Sequence, residues 1–70
     1  MEQIELTLYG NSYTLLPMPN GTFTVFNSSN DLLGSIKPVL LDNTLIEWKS
    51  VELADEFAQA LGEALENAED

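Results

Sequence analysis

Residues 3–9 alternate cleanly: Ile4, Leu6 and Leu8 fall on one side of an extended chain, and Glu5, Thr7 and Tyr9 on the other. Gly10-Asn11 follows, a pair suited to a two-residue primed turn because both residues tolerate positive φ. Closing the chain there sets Leu8 opposite Tyr13, Leu6 opposite Leu15 and Ile4 opposite Pro17. All three pairs share one face, so the register is self-consistent.

The next turn discriminates between two loop lengths. A two-residue Asn20-Gly21 loop would set Met18 against Phe23 and Leu16 against Val25, which sends Phe23 and Val25 to the face away from Leu15. A three-residue loop, Pro19-Asn20-Gly21, pairs Pro17 with Phe23 and Leu15 with Val25 instead. Its chemistry also fits, since Pro presets φ at the first position and Gly accepts the left-handed third. The three-residue loop is therefore expected. The first core face becomes Ile4, Leu6, Leu8, Tyr13, Leu15, Pro17, Phe23 and Val25.

Asn27 to Asp31 reads as a polar loop leading into a strand over Leu32–Lys37. Pro38 limits how far that strand can pair, and Gly34 suits a bulge that would change which face Leu33 and Ile36 use. Residues 39–43 turn the chain, helped by Asp42-Asn43, with Val39-Leu40-Leu41 fitting either strand or irregular buried loop. Thr44 to Lys49 is a last short strand carrying Ile46 and Trp48.

The period then changes. Ser50 is a suitable N-cap, no proline interrupts 51–68, and Glu52, Asp55 and Glu56 lie near the positive end of the helix dipole. At about 100° per residue, Ala54, Phe57, Ala58, Leu61, Leu65 and Ala68 form one apolar stripe. Glu52, Asp55, Glu56, Glu63 and Glu66 fall opposite. The expected architecture is a single small α+β domain over residues 1–70. An antiparallel meander of four or five strands is crossed on one face by one C-terminal amphipathic helix.

Composition narrows the function. Seventy residues without cysteine leave one small core with no disulfide or thiolate site to supplement it. Neither an apolar run of about 18 residues nor a basic leader followed by an apolar stretch is present, so a cytoplasmic protein with no membrane span is expected. Twelve acidic residues stand against two lysines, for a net charge of −10. Seven of the acids (Glu52, Asp55, Glu56, Glu63, Glu66, Glu69 and Asp70) follow Val51, where there is no basic residue. Direct binding to nucleic acid or anionic lipid by charge attraction is excluded on this pattern.

Candidate chemistry is sparse. Without His or Cys, a Ser-His-Asp or Cys-His arrangement cannot form, and the scattered glycines make neither a P-loop nor a dinucleotide fingerprint. No catalytic residue and no cofactor is expected. Asn27–Asp31 is oxygen-rich but lacks calcium-loop spacing, and Glu52/Glu56 or Glu63/Glu66 could share a hard cation only at helical spacing. A solvated helix face and a polar turn account for both, so no metal is expected.

Two interaction surfaces remain. On the sheet face away from Leu15, the expected register sets Thr7, Thr14 and Phe26 in one row and Glu5, Leu16 and Thr24 in the next, with Tyr9 and Met18 at the corners. Aromatic, Met and Thr groups exposed together suit protein binding. The expected role is a non-catalytic module for an unknown protein partner, using that face or an open sheet edge, with the chain itself a monomer or weak homodimer.

The alternative is an inhibitor of the phage or mobile-element accessory type that blocks a basic nucleic-acid-binding site with the acidic helix face. Glu52 to Asp70 spans about 27 Å of helix, or one charge per roughly 4 Å. Duplex DNA carries one per about 1.7 Å. The helix is thus too dilute to imitate a whole duplex, though it could fill a basic groove. An acidic surface that serves solubility alone accounts for the same charges.

Overall fold

The computed structural model describes residues 3–42 and 45–69. Among these, five strands precede one helix: β1 (Ile4–Leu8), β2 (Asn11–Pro17), β3 (Phe23–Asn27), β4 (Leu32–Leu40), β5 (Ile46–Lys49) and α1 (Asp55–Glu69). The strands pair antiparallel in chain order, so the expected meander with one C-terminal helix is the fold. β1 and β5, at opposite ends of the sheet, both pack on α1, and the sheet curls around the helix.

The inner face follows the alternation. Leu6, Leu15, Val25 and Ile36 are buried with Trp48, Ala58, Leu61 and Leu65, while Ile4, Leu8, Tyr13, Phe23 and Phe57 pack around them. Leu15 lies opposite Val25 and Pro17 opposite Phe23. The Pro19-Asn20-Gly21 loop has three residues as expected: Met18 N–H donates to Thr22 O at 2.9 Å, and Gly21 has φ 90°.

The first hairpin differs by two residues. Ile4 faces Leu15 and Leu6 faces Tyr13, because the turn residues are Tyr9 and Gly10 rather than Gly10 and Asn11. Their φ values of 55° and 80° are those of a type I′ turn, whose second position suits Gly10. The slide is even, so every side chain keeps its face. Its cost falls on Tyr9, a bulky residue held at positive φ, for which about 1–2 kcal/mol is typical. The same register carries Tyr13 onto Phe57, edge-to-face with ring centroids 5.4 Å apart.

β4 bulges opposite Val25/Phe26, next to Gly34, and so keeps both Leu33 and Ile36 against the core. Pro38 does not end the strand. β4 pairs with β3 through Leu32–Ile36 and with β5 through Lys37–Leu40, so it changes partners just before the proline. The strand expected from Thr44 begins at Ile46, and Asn43 and Thr44 lie outside the described residues.

The helix starts later than expected. Ser50 Oγ accepts from Leu53 N at 2.9 Å and caps a bend, not the helix. Ala54 O receives the first helical N–H, from Ala58, at 2.9 Å. Glu52 is therefore not a helix residue. Of the predicted stripe, Ala58, Leu61 and Leu65 are buried, Phe57 is half-buried, and the flanking Ala54 and Ala68 are exposed. Gly62, midway along the helix, is buried as well.

Gly62 lets helix and sheet approach closely. The Trp48 ring lies against its Cα, and any Cβ there would overlap the indole. Three further contacts hold Trp48. Its backbone N–H donates to Gln59 Oε1 at 2.9 Å, its Nε1–H donates to Glu66 Oε2 at 2.8 Å, and Phe23 packs edge-on with centroids 5.8 Å apart. Trp48 is the plug of the core, with both of its N–H donors satisfied by the helix.

Candidate interaction surface

The face of the sheet turned away from α1 is built by the same alternation that builds the core. Register runs one row through Glu5, Thr14, Phe26 and Leu32, and a second through Leu16, Thr24 and Ser35. The expected row Thr7–Thr14–Phe26 does not form. The two-residue slide of the first hairpin puts Glu5 beside Thr14 and pairs Thr7 with Ser12. Thr7 stays exposed on this face but off the row.

Phe26, Leu16 and Thr14 are half-buried on the outer face. Leu32, which the alternation alone did not assign to this surface, is 66% exposed. It is outward because the bulge reverses side-chain direction between Leu32 and Gly34. Beside it lies a cavity of about 310 Å³ lined by Thr24, Leu32, Leu33, Ser35 and Glu52. Glu52 reaches it because its Oε1 accepts from Ser35 N at 3.2 Å, which ties the segment before the helix to β4. Tyr9, 80% exposed, sits at the hairpin tip, and Met18 flanks the next loop, so the two mark separate ends of the molecule.

Glu52, Asp55, Glu56, Glu63 and Glu66 are all exposed, but three of these carboxylates accept hydrogen bonds within the chain. Asp55 and Glu56 occupy the first turn of α1 and are exposed. Glu63 accepts from Gln59 Nε2 at 3.0 Å, and Glu66 is committed to the Trp48 indole. With Glu52 tied to Ser35 of β4, neither carboxylate pair considered for a cation stands as a free pair. A groove of about 510 Å³ still gathers Glu47, Asp55, Glu56 and Glu63 near Tyr9. The oxygen-rich 27–31 loop is held from within. Asn27 Oδ1 accepts from Ser29 N and Asp31 N, each at 2.9 Å.

A third surface was not anticipated. Beyond Pro38, the end of the β4–β5 hairpin exposes Leu40, Leu41, Leu45 and Ile46. The signal was present in Val39-Leu40-Leu41, but no periodicity in three residues tells a buried loop from an exposed ribbon.

No family model matches this chain, and no curated protein or solved structure matches it. Among the described residues, no helix is long and apolar enough to cross a membrane.

Proposed function

We propose that this chain is a non-catalytic protein–protein interaction module that binds a partner through the outer face of its sheet. The observation that carries the reading is the row Thr14–Phe26–Leu32, flanked by Leu16, on the face opposite the helix. Leu32 offers an exposed anchor next to a cavity, and Phe26 gives it an aromatic neighbour on the rigid centre of the sheet. A few well-packed anchors carry most of the affinity in protein interfaces, and the remaining contacts mainly exclude water. The alternative, in which the acidic helix fills a basic nucleic-acid-binding site, keeps the groove of Glu47, Asp55, Glu56 and Glu63 as its support but loses Glu52 and Glu66 to internal hydrogen bonds.

The test is recovery of partners from the source cell with tagged protein at low and high salt. A partner bound through the outer face is retained at high salt and lost with Leu32→Ser/Phe26→Ser, provided that variant still melts cooperatively. Truncating such anchors commonly costs about 2 kcal/mol or more, a loss of roughly thirtyfold in affinity. A basic partner released by salt and indifferent to those changes would favour the acidic groove instead.

A further inference from the structure

β4 exchanges neighbours at Lys37, and that exchange leaves one of its edges bare. Leu41 N–H donates to Leu45 O at 2.9 Å, which makes Leu41/Leu45 a hydrogen-bonded pair. Pairs alternate along an antiparallel ladder, so Val39/Glu47 and Lys37/Lys49 are bonded pairs as well. Pro38 and Leu40 therefore direct their backbone groups away from β5, toward the side where β3 stops at Phe23 opposite Ile36. Pro38 has no N–H to leave unmet there. Leu40 has both N–H and C=O on that side, with its side chain 67% exposed and facing Ile46 across the hairpin. Edge strands are normally blunted by charge, proline or cover. Here the proline guards only the first position.

We propose that a second copy of this chain pairs with this edge, β4 against β4 antiparallel, about a two-fold axis at Leu40. Leu40 of each copy would then exchange both backbone hydrogen bonds with Leu40 of the other, and the exposed Leu40/Ile46 pairs would adjoin across the axis.

Charge favours a copy over another occupant. From Leu32 to Ile46 the only charged residues are Lys37 and Asp42, so the hairpin that carries this edge has no net charge in a chain of −10. An antiparallel two-fold at Leu40 sets Asp42 of one strand opposite Pro38 of the other, next to Lys37, so opposite charges lie close at both ends of the seam. An isologous contact needs such self-complementarity. The interface is small, below the roughly 1,200 Å² of stable complexes, so association is weak and concentration-dependent. It is independent of the outer-face reading, because Leu32 and Phe26 take no part.

The chain lacks cysteine, so single thiols can report the geometry. Paired residues in a bonded antiparallel pair sit about 5.5 Å apart at Cα, within disulfide reach. Leu40→Cys, oxidised with diamide at about 100 μM protein and about 0.3 M salt to screen repulsion, should form covalent dimers about tenfold faster than Leu32→Cys, which is equally exposed. Equal rates would overturn the proposal. Sedimentation of the unmodified chain should show a reversible dimer that Leu40→Lys abolishes with the thermal melt unchanged, and that Leu32→Ser/Phe26→Ser leaves intact. A wild-type chain that stays monomeric up to about 0.5 mM would overturn it too, leaving the edge to a foreign strand.

Discussion

β5 is four residues long, and its two apolar side chains have opposite fates. Trp48 is buried and held at its ring, its indole nitrogen and its backbone by Gly62, Glu66 and Gln59. Ile46, two residues earlier on the same face, is 44% exposed and joins Leu40, Leu41 and Leu45 in a ribbon that nothing among the described residues covers. Both ends have the same strand geometry and similar hydrophobicity. What separates them is whether the helix reaches. Burial in a small domain is decided by which element arrives opposite, and alternation only decides which face is available.

The comparison breaks most visibly at Gly62. Gly62→Ala should raise helix propensity by about 1 kcal/mol yet destabilise overall, by about 3 kcal/mol or more, because Trp48 must leave its place. Thermal melts and a red shift of Trp fluorescence would measure it, and a variant as stable as wild type would mean the indole does not rest there.

Leu61→Ala, beside the same seam and fully buried, should cost about 2–5 kcal/mol by leaving a cavity, while half-buried Phe57→Ala should cost less. Denaturant midpoints order the two, and a reversed order would place the centre of the core nearer Tyr13.

At Tyr9, relief is expected in place of loss. Tyr9→Asn suits the left-handed first position of the turn and forfeits little packing, so stability should rise by about 1 kcal/mol. No gain would show that the exposed ring contributes contacts equal to its backbone strain.

The smallest effect belongs to the ribbon. Leu41→Thr with Leu45→Thr should change the stability of the dilute chain by no more than about 0.5 kcal/mol, since nothing buried is lost. A large drop would mean that the tip is covered within a single copy.

Much of this was legible in the residues. Strict alternation placed Leu6, Leu15 and Val25 inside and Phe26 and Leu16 outside, and loop chemistry fixed the second hairpin to the residue. The first hairpin slipped by two because Tyr9-Gly10 and Gly10-Asn11 differ only in where the permissive residue sits, and an even slip leaves the faces unchanged. That was enough to misplace Thr7 in the candidate row. The helix start was misread because Ser50 hydrogen-bonds Leu53 with the three-residue spacing of a cap. Gly62 against Trp48 had a fainter signal, a glycine in an otherwise breaker-free helix. Its reason lies across fourteen positions of chain, where pattern cannot reach. Glu52 and Glu66 are exposed as the pattern implied, but their hydrogen bonds were hidden for the same reason, since Ser35 and Trp48 are brought to them by tertiary contact.

The strictly sequential strand order sets the kinetics of folding. Every strand pairing joins chain neighbours, so each hairpin can close across a short loop at small entropic cost. The packing of α1 on β1 is different, because it joins two ends of the chain and can form only when the sheet has curled. Closure of the helix is therefore the late event. Destabilising changes in α1 should act mainly by speeding unfolding, whereas changes at the Leu15–Val25 pair should slow folding. Trp48, the sole tryptophan and buried at that seam, makes both arms of the chevron observable by fluorescence without a label.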